Sequence, residues 1–103
     1  MQKALIFVTA ALAGTNAAAS TPQAWKELQR RAERSCIAAS DLASPRASNM
    51  VVFDDQTGMV AFLISGTHRQ SYMKGATGTD LCLYDRRRKK ASVEEAKGWK
   101  ERR

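Results

Sequence analysis

The chain has 103 residues, with 17 Lys and Arg against 10 Asp and Glu, and a net charge of +7. This length holds one domain and excludes a Rossmann enzyme, a TIM barrel and any multi-domain protein. Hydrophobic residues make up 44% and charged residues 26%, proportions that are ordinary for a folded protein and argue against wholesale disorder.

Residues 1–19 are predicted to be a signal peptide. Lys3 supplies a positive charge, residues 4–13 are an apolar stretch, and Ala17 and Ala19 provide the small residues of a cleavage site before Ser20. A buried core helix is the alternative. The stretch is too short to span a bilayer as a helix, which needs about 20 residues. We therefore expect a bacterial protein of the periplasm or the medium that does not span a membrane.

The rest of the chain, residues 20–103, is predicted to be a single small domain with two cysteines, Cys36 and Cys82. In a small exported domain such a pair is typical of a structural disulfide, and only one pairing exists. Two thiolates and one histidine are too few for a tetrahedral metal site, and no C-x-x-C redox motif is present. A disulfide that closes a loop of about 47 residues contributes roughly 4 kcal/mol in the chain-entropy model.

Residues 22–39 are predicted to form an amphipathic helix. Its start offers two caps: Ser20 in a capping box with Gln23, or Thr21 with Pro22 in the first helical position. We expect its apolar stripe to pack against the rest of the domain, with a lipid-binding surface as the alternative. The stripe consists of residues at helical spacing: Trp25, Leu28, Ala32, Cys36 and Ala39.

Strand-like runs follow a connector at residues 40–48 that is rich in Ser and contains Pro45. Residues 54–58 are predicted to be the hairpin loop between the first two runs. Short strands after one helix predict an α+β domain, in which one N-terminal helix is disulfide-linked to an antiparallel sheet of three or four strands. The runs are residues 49–53, 59–64 and 81–84, with 91–94 as a candidate fourth.

The central runs are apolar on both faces. Because side chains alternate between the faces of a strand, Leu81 and Leu83 point away from a helix that Cys82 faces. One helix covers only one face, so the other needs a second cover. The candidate partner face consists of four side chains: Met59, Leu63, Leu81 and Leu83.

Three alternatives remain for what covers that face. Segment 91–99 would supply an internal lid through Val93, Ala96 and Trp99, the sheet would curl on itself, or another molecule would bind. In the last case we expect either another exported protein or a second copy of this chain, in a dimer.

No catalytic constellation or cofactor motif is recognised in the sequence. The single histidine, His68, lies in a polar stretch without the context of a Ser/His/Asp triad. Asp54 and Asp55 are adjacent and lack the spacing of a calcium loop. We therefore expect a protein that is not an enzyme and needs no metal or cofactor.

The connection from Gly66 to Asp80 has a length that is typical of a functional loop or of a hidden element. Residues 67–74 are interpreted first as a further strand with weak alternation. If they form a loop instead, the candidate binding side chains are His68, Arg69 and Tyr72.

The excess positive charge is confined to one end. Residues 20–85 contain seven basic and seven acidic residues, whereas residues 86–103 contain nine basic and three acidic ones. A like-charge run is expected to stay solvated, either as a solubilising turn or as a site for anionic lipid head groups and lipopolysaccharide. Nucleic acid is not expected as a partner, because no aromatic residues alternate with the cations. The run consists of Arg86, Arg87, Arg88, Lys89 and Lys90.

These features predict a small exported, disulfide-stabilised protein that binds without catalysis, as an accessory protein or inhibitor of another envelope protein. The alternative function is a cationic binder of anionic envelope surfaces through residues 86–103. Salt distinguishes the two, because dissolved ions screen exposed charges over about 8–10 Å and leave apolar contacts in place.

The mature protein should begin at Ser20, because Ala17 and Ala19 occupy the small-residue positions of the cleavage site. Intact-mass spectrometry of exported protein measures this directly. A membrane-associated product that keeps residues 1–19 would contradict both cleavage and the expectation of a soluble mature protein.

Overall fold

The computed structural model describes residues 21–100, which form one helix and a five-stranded antiparallel sheet. The predicted signal peptide, residue 20 and residues 101–103 lie outside this range. The α+β prediction is confirmed, with more strands than the three or four expected. In chain order the elements are α1 (Pro22–Ala39), β1 (Ala43–Ala47), β2 (Val51–Val52), β3 (Met59–Thr67), a 3-10 turn (Ser71–Met73), β4 (Thr77–Asp85) and β5 (Lys90–Glu95).

Helix α1 begins and ends where the sequence predicts. The hydroxyl of Thr21 accepts a hydrogen bond from the backbone N–H of Ala24 at 3.2 Å, and Pro22 occupies the first turn, where its missing N–H costs nothing. At the other end the backbone N–H of Ser40 donates to the carbonyl oxygens of Cys36 and Ile37. Of the two predicted caps, the one formed by Thr21 and Pro22 is confirmed.

Strand β3 lies at the centre of the sheet. It pairs with β4 along its whole length, from Met59 opposite Asp85 to Thr67 opposite Thr77. Strand β5 continues the sheet beyond β4. Strands β1 and β2 share the other edge of β3, where β1 lies beside its second half and β2 beside its first half.

The predicted connector at residues 40–48 contains strand β1, so this interpretation is wrong. Pro45 is accommodated because an edge strand needs hydrogen bonds on one side only. Ser44 adopts a positive φ of 48°, and the pairing with β3 shifts between Ala43 and Arg46, which marks a bulge. Strand β2, in turn, keeps only two residues of the predicted run 49–53.

The strand interpretation of residues 67–74 is also wrong. Strand β3 ends at Thr67 and β4 begins at Thr77, so residues 68–76 form the connection between them. The chain reverses there through a 3-10 turn and two positive φ angles, 54° at Lys74 and 74° at Gly75. The predicted strand at 81–84 is therefore the second half of a longer strand.

The core lies between α1 and one face of the sheet, which we call the helix face. Its members on β3 and β4 all have even numbers, as expected for one face of two strands paired in this register. Tyr84 and Phe62, the largest of them, are each 1% exposed. The buried cluster comprises Leu28, Ala32 and Cys36 of the helix with Val60, Phe62, Ile64, Cys82 and Tyr84 of the sheet.

The Cys36–Cys82 disulfide crosses this core, with the two Cα atoms 5.8 Å apart. Cys82 lies in the middle of the sheet, opposite Phe62 on β3 and Val93 on β5. The predicted disulfide is confirmed, and it ties the last turns of α1 to the helix face.

Replacing the disulfide by the pair Cys36→Ser and Cys82→Ser should lower the free energy of unfolding by about 2–5 kcal/mol, because the unfolded chain regains the freedom of a long loop. Thermal melts with and without reductant measure the loss. Reductant should lower the melting temperature of the wild type and leave that of the double variant unchanged. Two titratable thiols in native, unreduced protein would contradict the prediction.

Candidate functional site

The sheet surface opposite α1, which we call the far face, carries the four predicted partner residues. Odd-numbered residues of β3 and β4 point to this side, so Leu63 lies directly opposite Leu81. Leu83 lies opposite Ala61, and Met59 occupies the next position towards the hairpin loop. All but the buried Ala61 are half-buried, so the far face is apolar at its centre without being closed.

Two exposed apolar side chains extend the far face at its β2 edge. Val51 lies opposite Ala61 and is 56% exposed. The backbone N–H of Phe53 donates to the carbonyl of Met59 at 3.0 Å, so Phe53 continues the same register, and it is 45% exposed. Val52 lies between them and points to the opposite side of the strand. The apolar surface therefore runs from the sheet centre to an open edge.

The C-terminal segment reaches only the margin of the far face. The N–H of Ala96 donates to the carbonyl of Thr79, and the N–H of Trp99 to the carbonyl of Ala96, which turns the chain back beside β4. Trp99 is still 59% exposed. Val93 takes no part in a lid, because it packs against the helix-face core as a member of β5.

Two adjoining cavities form a groove along the far face. The apolar cavity has a volume of about 430 Å³ and is lined by Leu63, Leu81, Val51 and Trp99, among others. The polar cavity, of about 500 Å³, is lined by five hydroxyl-bearing strand residues and by two cations, and Lys100 lines both cavities. The polar residues are Ser44 of β1, Ser65 and Thr67 of β3, Thr77 and Thr79 of β4, and the cations Arg46 and Lys100.

Two of the four predicted partner residues, Leu63 and Leu81, line the apolar cavity, and the sequence analysis missed the polar cavity. A signal for it is present in two matching triplets, Ser65-Gly66-Thr67 and Thr77-Gly78-Thr79, in which hydroxyl residues alternate with glycine. That alternation places the hydroxyl side chains on one face of each strand. Only the pairing of β3 with β4 brings the two triplets together.

The basic run forms the turn between β4 and β5 and lies against the hairpin loop at residues 54–58. The guanidinium of Arg86 donates to the carbonyl of Asp54 at 3.4 Å and contacts the carboxylate of Asp55 at 3.5 Å. Arg87 donates to the carbonyls of Asp55 and Gln56. The expectation of a fully solvated run is wrong for Arg86, whose side chain is 21% exposed. Its Nη2 group reaches the carbonyl of Asp54 and the carboxylate of Asp55, while its buried Nε has no hydrogen-bond partner among the described residues.

Two aspartates organise these turns. The side-chain and backbone donors of Thr57 hold the pKa of Asp54 below its usual value. The backbone N–H groups of Arg88 and Arg87 do the same for the pKa of Asp85. Because the folded pKa is lowered in both cases, these contacts stabilise the fold above the ordinary carboxyl pKa and are lost as the pH falls through the folded value.

The candidate binding loop is partly engaged with its own domain. Arg69 donates to the carbonyls of Asp41 at 3.0 Å and Leu42 at 3.4 Å. His68 lies over Gly78, where an added Cβ would stand 2.7 Å from the histidine Nε2. Tyr72, by contrast, is 77% exposed. Arg69 thus fastens the loop to the segment after α1, and His68 packs over β4.

Within residues 21–100 no group of three or more His, Cys, Asp or Glu is placed to hold a metal ion, and no helix is long and apolar enough to cross a membrane. Comparisons of the chain with protein-family models, with curated proteins and with solved structures find no match. The groove and the basic turn are therefore the features of this protein that bear on its function.

The substitution Arg86→Ser should lower the free energy of unfolding by about 1 kcal/mol, because it removes a side chain that is only 21% exposed together with its hydrogen bond to the hairpin loop. Urea unfolding measures the loss. The matched control is Lys89→Ser in the same turn, which should change stability by less than about 0.5 kcal/mol because Lys89 is exposed. Equal effects of the two substitutions would contradict the structural role of Arg86.

Proposed function

We propose that this is a small exported binding protein that docks another exported protein on the far face of its sheet. One observation carries the proposal: Val51 and Trp99 stand exposed at the rim of an apolar cavity of about 430 Å³, and the exposed Phe53 continues the apolar surface two residues beyond Val51. Contiguous apolar surface with a polar rim is typical of protein interaction sites. Here it lies on the sheet face that α1 leaves uncovered.

The open edge beside the groove supports a protein partner. Among residues 21–100, strand β2 pairs only with β3, so its outer edge, next to Val51 and Phe53, has no strand partner within that range. Edges of this kind accept an extended segment through backbone hydrogen bonds, while neighbouring pockets take its side chains. A partner segment would thus find both kinds of contact in one place.

The role is proposed to be binding without catalysis. Asp54 and Asp85, the described groups whose pKa is shifted, accept backbone hydrogen bonds in turns, and neither lines the groove. Their shifts therefore have a structural cause. Export is part of the proposal, and the disulfide is compatible with it, because such bonds persist in oxidising compartments.

A second candidate is the cationic binder of anionic envelope surfaces. The exposure of Arg88, Lys89 and Lys90 at the tip of the β4–β5 turn favours it. Their attraction to an anionic surface is worth about 1 kcal/mol per charge near the membrane. Arg86 and Arg87 add less than the sequence implies, because they donate to the hairpin loop.

Photo-crosslinking tests the docking surface with a matched pair of positions. Val51 and Val52 are adjacent and similarly exposed, at 56% and 44%, but they point to opposite faces of the sheet. A benzophenone amino acid at position 51 should give a discrete protein adduct in intact cells, and the same group at position 52 should not. The adduct should still form when irradiation is carried out at about 0.5 M salt, because apolar contacts are not screened.

Equal adducts from both positions, or none from either, would contradict docking on the far face. Thermal melts of the two variants serve as the folding control. An adduct that forms only from position 89 in the basic turn and disappears with salt would favour the cationic function instead.

A further inference from the structure

The polar cavity is built by the two matching triplets. Ser65 lies opposite Thr79 and Thr67 opposite Thr77, so four hydroxyl side chains share the far face. The glycines between them point to the helix face, where an added Cβ on Gly66 would stand 2.6 Å from the carbonyl oxygen of Ala43. Close packing explains the glycines. The hydroxyl residues face a cavity instead.

This cavity is positively charged. Arg46 lies opposite Ser65, on the far face, and it is exposed. Lys100 stands where the polar and apolar cavities meet. Neither takes part in the ion pairs formed within residues 21–100. No acidic residue among those described lines either cavity; Glu94, opposite Leu81 on the same face, lies outside both.

Cations together with hydroxyl donors suit one ligand chemistry. A carboxylate accepts hydrogen bonds from guanidinium, ammonium and hydroxyl groups at once, and bonds between charged partners are the strong ones. The neighbouring cavity, with Leu63, Leu81 and Trp99, suits a large apolar group. The groove therefore fits a ligand that carries both.

The spacing of the two cavities matches an extended peptide. The Leu63–Leu81 row and the Ser65–Thr79 row are consecutive rows on the far face, one two-residue repeat apart, which is about 6.8 Å. Residues i and i+2 of an extended peptide are separated by the same distance and point to the same side. One apolar side chain and one acidic side chain two residues away would reach the two cavities together.

We propose that the groove recognises an extended acidic segment of the partner protein, with a large apolar side chain in the apolar cavity and an Asp or Glu two residues away in the polar cavity. This rests on the proposed function, because it names the partner of the same surface. An acyl chain fits less well, because lipid and drug-sized ligands are typically enclosed on 70–90% of their surface. Trp99 and Val51, at the rim, are more than half exposed.

The test is selection of phage-displayed random octapeptides on the disulfide-bonded mature protein. Selected peptides should carry Phe, Leu, Tyr or Trp at one position and Asp or Glu two positions away. Fluorescence polarisation of a labelled selected peptide should show Kd rising about tenfold or more when its acidic residue is replaced by the matching amide.

Variants of the protein assign the acidic preference to the polar cavity. In the Arg46→Ser and Lys100→Ser variants, the Kd of the amide peptide divided by the Kd of the acidic peptide should fall below about threefold. The reason is that the cation that binds the carboxylate more strongly than the amide has been removed. The matched control is Arg34→Ser, which removes a cation from the exposed side of α1 and should leave the ratio unchanged.

The outcomes separate this inference from the proposed function. Apolar enrichment without an acidic residue at the second position would overturn the acidic motif and leave the far face as a docking surface. An unchanged ratio in both Arg46→Ser and Lys100→Ser would overturn the assignment to the polar cavity. Both proposals would be overturned if no peptide were enriched and the protein instead bound phosphatidylglycerol vesicles in a way that Arg46→Ser and Lys100→Ser abolish.

Discussion

The Cys36–Cys82 disulfide determines which side of the sheet is inside. It places Cys82 under the helix, and because strand side chains alternate, the even-numbered residues of β3 and β4 then point to the helix face and the odd-numbered ones to the far face. In so small a domain one helix buries one face. The same bond that stabilises the core therefore leaves a second apolar surface facing outwards.

The two faces of the sheet carry different residue types where β3 ends and β4 begins. On the helix face, Leu42, His68 and the backbone of Ala43 approach so closely that positions 66 and 78 carry glycine. On the far face, the residues beside these glycines carry hydroxyl groups and border a cavity with Arg46 and Lys100. Packing accounts for the first pattern. For the second, the acidic segment proposed above would supply the hydrogen-bond acceptors.

Charge has two roles in this protein. The run from residue 86 to residue 90 holds the largest concentration of positive charge, but Arg86 and Arg87 contact the hairpin loop, where carbonyl oxygens and Asp55 accept their hydrogen bonds. Arg46 and Lys100 are far apart in the sequence, and both line the polar cavity. Cations that form no described ion pair and line a cavity are better placed to select a ligand than a run that joins two turns.

Local patterns in the sequence determined the features that depend on near neighbours. Helix 22–39, its cap at Thr21, the hairpin loop at 54–58 and the alternation of the central strands all follow from residues a few positions apart. The disulfide could also be predicted from the sequence, because two cysteines allow one pairing. The four leucine and methionine side chains of the far face followed from alternation once Cys82 was assigned to the helix side.

Only the tertiary structure decided the features that depend on strand pairing. Strand β1 contains Pro45, Ser44 and a bulge, and it exists because the edge of β3 supplies its partners. The first half of β4 lacks apolar alternation and is extended because it pairs with the end of β3. Arg86 reaches the hairpin loop because the pairing of Met59 with Asp85 brings the β4–β5 turn beside that loop. The groove also depends on strand pairing, because each of its two cavities combines residues from segments that are separated in the chain.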